Sequence, residues 1–490
     1  MDRKLILVTG ATGYIAGRLV PLLLERGYRV RCLVRTPQRL GEAPWSGQVE
    51  SFVGDLAESR GLDRACAGVS AAYYLVHNMA SGRGYHARDL AAARAFAAAA
   101  ATASVEQIVY LGGLADPAAS IGRHMRSRIE TGETLRQGPV PVTEFRAGVI
   151  VGPGSISFEM IRYLTEQLPL LIGPGWLDNR VQPIAATDVL AYLVAALETP
   201  ASRGRILEIG GAEVLTFAET MRIYARMRGL RRRVWIVPRL PVGLMALAVD
   251  RLTPVPVRIA APLIDGMRAD SVVRDEAARR VFPAIRPLAY PQAVARALAQ
   301  LAPERAGARL ELRPKRIKII KHEGFLIDAR RVALEIGPEE VYRYLIQLGG
   351  RQGWLFFNGA WKLRGALDRL LGGPGMRGRP GGEHDPRPGD VVDFYRVEAA
   401  EPGRLYRLRS ELKAPGQAWM EWRADPRGSA GCALTQTAWF APYGVPGFLY
   451  WYLLSPIHRF VFSGLIRSLA RQAALRPDEA GIEPNLLEKD

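Results

Sequence analysis

The residues whose types and spacing most clearly carry chemistry lie near the start of the chain, in Thr9-Gly10-Ala11-Thr12-Gly13-Tyr14-Ile15-Ala16-Gly17. Gly10 permits a tight strand-to-helix turn, Gly13 lets the backbone approach a pyrophosphate, and Ala16 takes the third small position where helix packs on strand. A phosphate seated there meets the free N–H groups and the positive end of a helix. Thr12, Tyr14 and Ile15 complete the cradle. A three-glycine motif alone says little, but here it follows the first strand and opens a helix, the context that dinucleotide binding demands. After the second strand, where an acid for the ribose hydroxyls of NAD normally stands, come Arg35 and Thr36, with Arg39 one turn on. A guanidinium suits a 2′-phosphate, which favours NADP over NAD. A surface arginine after a strand is also common. Asp55 and Leu56 end the third strand within reach of an adenine, and capping of a helix by Asp55 is an equally good account.

Other reactive side chains form no constellation. His322, His384 and His458 are far apart and lack metal-ligand spacing. Cys32, Cys66 and Cys432 have no C-x-x-C spacing, which excludes a disulfide framework or zinc site and fits a reducing compartment. No metal is expected.

These groups need a frame. The apolar run at 4–9, a helical pattern at 14–26 closed by Gly27 and a strand from Tyr28 to Val34 make one βαβ unit. Strands follow at Val49–Val53, Ala71–Val76, Gln107–Leu111 and Val142–Ile150, with helices at 86–103 and around 124–137. Such alternation predicts an α/β doubly wound parallel sheet, covered on both faces. Beyond Gly152 the pattern loosens into a smaller substrate lobe, with a strand at Arg205–Ile209 and helices at Phe217–Arg228 and Tyr290–Leu301. From about Pro314, strand-like runs at 316–320, 331–335, 391–397, 404–412, 418–423 and 432–441 precede a helix from Gly447 to Ala474, and another helix falls near Pro338–Gly349. That order predicts an α+β domain on an antiparallel sheet. The expected domains are 1–305 and 306–480, with a tail at 481–490.

At 490 residues, 48% hydrophobic and 23% charged, the chain has the balance of a folded, multidomain protein. Its N-terminus lacks the h-region of a signal peptide, so a cytoplasmic protein is expected. The net charge of +18 would serve a phosphorylated cofactor, an anionic membrane or nucleic acid, or simply reflect an arginine-rich surface. No nucleic-acid module accompanies it, so nucleic acid ranks last.

TGATGYIAG, VGDL (53–56), YYLVHNM (73–79), IVYLGGL (108–114), EFRAGVIVGPG (144–154) and QPIAATDV (182–189) together resemble the short-chain dehydrogenase/reductase superfamily, in its extended or atypical branch of NmrA-like and YbjT-like proteins. The resemblance implies a Rossmann fold over about the first 300 residues. It places Val76 and His77 beside the adenine ribose, Gly112 and Gly113 near the nicotinamide, and Ile150 to Pro153, Val151 included, on its far side. Catalytic members use a Tyr-x-x-x-Lys pair and a serine. Here His124 stands at the tyrosine position and Arg128 at the lysine position, while the serine position falls in Leu111-Gly112-Gly113, which has no hydroxyl. His124 could act as an acid near neutral pH and Arg128 could hold the ribose, though not serve as a base. The alternative is a helix-surface His124, with Arg128 paired to Glu130 or Glu133. Glu159 and Tyr163 are expected at a helix surface and His86 in a solvated loop.

Residues 320–474 resemble the START-like or polyketide-cyclase-like helix-grip family through GPEEVYRYLIQLGGRQGW, ALDRLLGGPGMRGR, GDVVDFYRVEA, LKAPGQAWMEWR and ALTQTAWFAPYGVPGFLYWYLLSPIHRF. That fold wraps a sheet around a long helix and often encloses an apolar ligand. The aromatic segment Phe440–Leu454 is broken by Pro442 and Pro446, with Pro456 just beyond, too soon to span a bilayer. It reads as the start of that helix, burying Leu453, Phe460, Phe462, Leu465 and Leu469, and loose peripheral contact with the inner face of a membrane is compatible with it. Three functions remain open: an NADP-dependent oxidoreductase acting on an apolar carbonyl, quinone or isoprenoid-type substrate; a catalytically silent NAD(P)H-binding redox sensor or scaffold; and a lipid-binding membrane adaptor.

Overall fold

Short apolar runs along the first 210 residues pair side by side, as the alternating pattern requires. The strands are β1 (Leu5–Thr9), β2 (Arg29–Val34), β3 (Glu50–Val53), β4 (Ala71–Tyr74), β5 (Gln107–Gly113), β6 (Val142–Ala147) and β7 (Ile206–Ile209). They form one parallel sheet in the order β7-β6-β5-β4-β1-β2-β3. The order reverses between β1 and β4, which opens a crevice at the carboxyl ends of those two strands. The computed structural model describes residues 4–37, 40, 43–76, 85–119, 121–238, 240–307, 320–350, 352–379, 385–428 and 430–474. The chain divides into two units, Met1–Arg309 and Leu310–Asp490.

In the first unit the period-two geometry of β1 sends its side chains to two cores. Ile6 and Val8 join Leu19, Val20 and Leu23 of α1 (Ala16–Glu25). Leu5 and Leu7 join a cluster that includes Cys66 of α2 (Leu62–Cys66) and Phe96 of α3 (Tyr85–Thr102), where alanines 92, 93, 97 and 100 let the helix lie close to the sheet. The helix α4 (Arg123–Arg136) follows β5. The lobe after Gly152 is more regular than its sequence pattern: α5 (Ile156–Gln167), α6 (Ala186–Glu198), α7 (Phe217–Met227), α8 (Val242–Leu252) and α9 (Val257–Gly266) all form, and a separate cluster centred on Phe158, Tyr224, Val249 and Ile264 packs most of them together.

The second unit has a seven-stranded antiparallel sheet of β8 (Ile320–His322), β9 (Phe325–Leu334), β10 (Val391–Val392), β11 (Tyr395–Glu401), β12 (Leu405–Ser410), β13 (Gly416–Arg427) and β14 (Gly431–Pro442). Their order is β8-β9-β14-β13-β12-β11-β10. The long helix Gly444–Ala474 packs on β9 and β14. Gln436 donates to the carbonyl of Phe462 at 3.0 Å, Arg330 donates to Ser463 Oγ at 3.0 Å, and Phe440 stacks on Trp451 at 5.2 Å. The helix buries Phe448, Trp451, Phe462, Leu465 and Leu469. The expected burial of Leu453 and Phe460 is corrected: they are 73% and 57% exposed, because they follow the opposite stripe of the helix.

Candidate dinucleotide site

Gly10 has φ +69°, and a Cβ there would lie 2.9 Å from the carbonyl oxygen of Leu75. The β1 turn therefore runs directly against the end of β4, with Val76 alongside. Thr9 ties the two strands, donating to the carbonyl of Tyr73 at 3.0 Å and accepting from the Leu75 N–H at 3.1 Å. The Gly13 N–H closes the turn on the Gly10 carbonyl at 2.7 Å. Thr12 and Gly13 are exposed. At Ile15, α1 begins without a side-chain cap and with no acid in its first turn. The Gly17 and Arg18 N–H groups of the first turn donate to the Gly13 and Ile15 carbonyls at 2.9 and 3.1 Å, so what this end offers an anion is the partial positive charge of the helix start. That charge and the missing Cβ at Gly10 fit a pyrophosphate.

Sequence reasoning missed Arg18. It donates to the carbonyls of Tyr14 at 3.0 Å and Pro153 at 2.7 Å, and its guanidinium lies 4.0 Å from the centre of the Tyr14 ring. The Tyr14 hydroxyl lies over Gly152, where a Cβ would come within 2.4 Å. Arg18 and Tyr14 thus fasten the turn to the Gly152-Pro153-Gly154 loop. The only signal was an arginine four residues after Tyr14 in a helix whose next charge is Glu25.

Arg35 and Thr36 are exposed just after β2, while Arg39 and His77 lie outside the described residues. Asp55 accepts from the Ala57 N–H at 2.9 Å, so it caps its own turn rather than a helix. Leu56 is in the core with Leu33 and Leu62. Val151 is buried beside the lobe, paired with Ala185.

At the far end, β5 finishes in Gly112 and Gly113. The Tyr110 hydroxyl donates to the Arg128 carbonyl at 2.8 Å, and the Arg128 guanidinium donates to the Leu111 carbonyl. A Cβ on Gly113 would lie 2.5 Å from Met125 Sδ. Met125 therefore fills the space that a side chain at 113 would use. His124 is only 5% exposed, and Gly122 just before it packs on Asp265 of α9. The helix-surface account of His124 is corrected: α9 covers the start of α4. Arg128 bonds Leu111, while His86 meets Glu130 at 2.9 Å. Beneath Gly112, the buried Glu144 carboxylate meets Arg136 and Arg146, the latter at 2.7 Å. Burial holds both guanidinium groups below the usual arginine range.

Glu159 and Tyr163, expected at a surface, are 3% and 2% exposed because the lobe closes over α5. One Glu159 oxygen accepts from the Gly154 N–H at 2.9 Å and the other from Arg162 at 2.7 Å. Among the described residues no group of three His, Cys, Asp or Glu side chains is placed to hold a metal.

Residues 10–130 match the family described as NAD(P)H-binding, and residues 322–465 match one described as a protein of unknown function, DUF2867. The chain is 30% identical over 241 residues to "Ceramide reductase" of Caulobacter vibrioides, covering 48% of this chain and 74% of that one. It is 28% identical over 226 residues to "NADH dehydrogenase (ubiquinone) 1 alpha subcomplex subunit 9, mitochondrial" of Dictyostelium discoideum, covering 43% and 60%. Among solved structures it is similar to an Escherichia coli NADPH-dependent quinone oxidoreductase complexed with NADPH, at 17% identity and TM-score 0.49 over 60% of this chain and 99% of that one.

Proposed function

We propose that this chain, which belongs to the family of NAD(P)H-binding reductases that includes the Caulobacter ceramide reductase, is an NADPH-dependent oxidoreductase acting on an apolar carbonyl, quinone or isoprenoid-type substrate. The observation that carries the reading is a built anion cradle after β1 and a fixed cation beside β5, two strands along in the same sheet. The cradle is the Gly10 turn with the uncapped start of α1. The cation is Arg128, fastened to Leu111 beside Gly113. Gly10, Thr12, Gly13, Tyr14 and Ile15 hold the pyrophosphate, with Arg35 on the 2′-phosphate and Val76 against the ribose.

When bound, the nicotinamide supplies a hydride to the electrophilic carbon of the substrate. Arg128 orients the ribose through its guanidinium. His124 lies one helical turn before Arg128 on the same face of α4. It gives its proton to the substrate oxygen, so that hydride and proton together reduce the carbonyl to an alcohol. Exposed apolar side chains on the lobe, Ile172, Trp235 and Leu244 among them, favour an apolar substrate.

The second unit has a START-like helix-grip fold that encloses the apolar part of a ligand. In support, the long helix and sheet enclose Trp422, Trp451 and Phe462. Trp451 Nε1, His458 Nδ1 and Tyr406 Oη are buried there with no hydrogen-bond partner among the described residues.

One observation favours a silent dinucleotide binder instead: Met125 occupies the space above Gly113, in the stretch where the reductases' serine belongs. Fluorescence titration with NADPH and NADH, followed by turnover assays on apolar ketones and quinones, separates the readings. The reductase predicts tighter NADPH binding, with turnover lost in His124→Ala and binding retained. Binding without turnover on any substrate supports the silent reading, and binding of neither cofactor overturns both.

A further inference from the structure

Two helices of the second unit carry apolar side chains on their solvent faces. On the long helix, Leu449, Leu453, Ile457 and Phe460 follow one another at intervals of three or four residues, all more than half exposed. On the helix Asn358–Leu370, Leu363, Leu367 and Leu370 are spaced likewise and are 62%, 48% and 83% exposed. The first stripe reaches the entry to the second helix: the Phe460 ring lies 5.7 Å from Phe357, its N-cap, and 5.3 Å from Phe356.

The exposed charges on these two helices have one sign. The long helix has no Asp or Glu in 31 residues, and Arg459, Arg467 and Arg471 are exposed on it. Arg467 and Arg471 continue the stripe of Leu453 and Phe460. The shorter helix exposes Lys362 and Arg369. Its one acid, Asp368, is fully buried and accepts from the Gly375 and Lys413 N–H groups.

From this juxtaposition we propose that the solvent faces of these two helices form a docking surface for an anionic lipid bilayer. Apolar side chains rimmed by cations match the layered chemistry of acyl chains beneath acidic headgroups. A second copy of the chain would bring like charges face to face, and nucleic acid offers nothing to the leucines. No described helix is long and apolar enough to cross a membrane, so the unit lies on the bilayer.

The test is cosedimentation of the full-length chain with phosphatidylcholine vesicles, with and without phosphatidylglycerol. Binding is expected to the anionic vesicles alone and to be lost at high salt. Arg459→Gln and Arg467→Gln should each weaken partitioning roughly fivefold. Leu453→Asp should abolish it with NADPH affinity and melting temperature unchanged, and Leu367→Asp on the other helix repeats the test. Absence of binding, or equal binding to neutral vesicles, overturns the proposal. So does a dimer in analytical ultracentrifugation that Leu453→Asp dissociates.

Discussion

Gly10 and Gly27 share a left-handed backbone, with φ +69° and +81°, yet their surroundings differ. An added Cβ at Gly27 meets nothing within 4 Å, whereas at Gly10 it runs into the backbone of Leu75. Strain alone costs about 1 kcal/mol for an L-residue in this region. Gly27→Ala should therefore lower stability by about 1 kcal/mol and leave cofactor affinity alone. Gly10→Ala must also push β1 and β4 apart at the crevice. Its cost rises to about 2 kcal/mol or more, with NADPH affinity falling roughly tenfold. Urea unfolding and NADPH titration of the two variants measure the difference, and equal effects on binding would remove Gly10 from the cradle.

Elements were legible where one physical signal dominated. The β1 run, its glycine turn and α1 combine apolar periodicity with an unmistakable stop at Gly27. Elements whose inner faces carry paired charge were not. α5 buries Glu159 and Arg162 against each other, which breaks the apolar pattern of a helix. β9 begins at Phe325 rather than the expected 331, because Asp328 and Arg330 face the long helix as an ion pair of 2.7 Å. The long helix is apolar nearly all round, so sequence fixes its existence without its phase. That phase sets His458 between Trp451 and Phe462, at ring distances of 5.2 and 5.1 Å. Burial, reinforced by Arg330 and Arg364, pushes the imidazole down from 6.5 to about 4. Between those values the unfolded chain takes up a proton that the folded chain refuses. Stability must therefore fall as the pH drops from about 6.5 towards 4, by on the order of 3 kcal/mol, and level off below. His458→Phe keeps a ring in place and removes the proton. Its unfolding midpoint should lose much less between pH of about 7 and about 4.5 than the parent's; an identical pH slope would assign the effect to other groups.

At the scale of the molecule, the cofactor chemistry and the cationic apolar surface fall in different units. Every described residue of the cradle lies within Met1–Arg309. The three main apolar clusters of that unit are built only from residues between Leu5 and the helix Tyr290–Ala299. A unit of this size buries enough surface to stand alone. Expressed by itself, residues 1–309 should unfold cooperatively and bind NADPH within roughly threefold of the full chain, a difference under about 1 kcal/mol. The same fragment should lose all affinity for anionic vesicles, since Leu453, Phe460 and the arginines beside them are gone. Under the proposed function it should also turn over apolar substrates more slowly, through a raised KM, because the second unit would no longer hold them. Side-by-side titration of fragment and full chain decides the point. If the folded fragment binds NADPH tenfold more weakly or worse, the second unit contributes to the cofactor site, and the division of labour between the units fails.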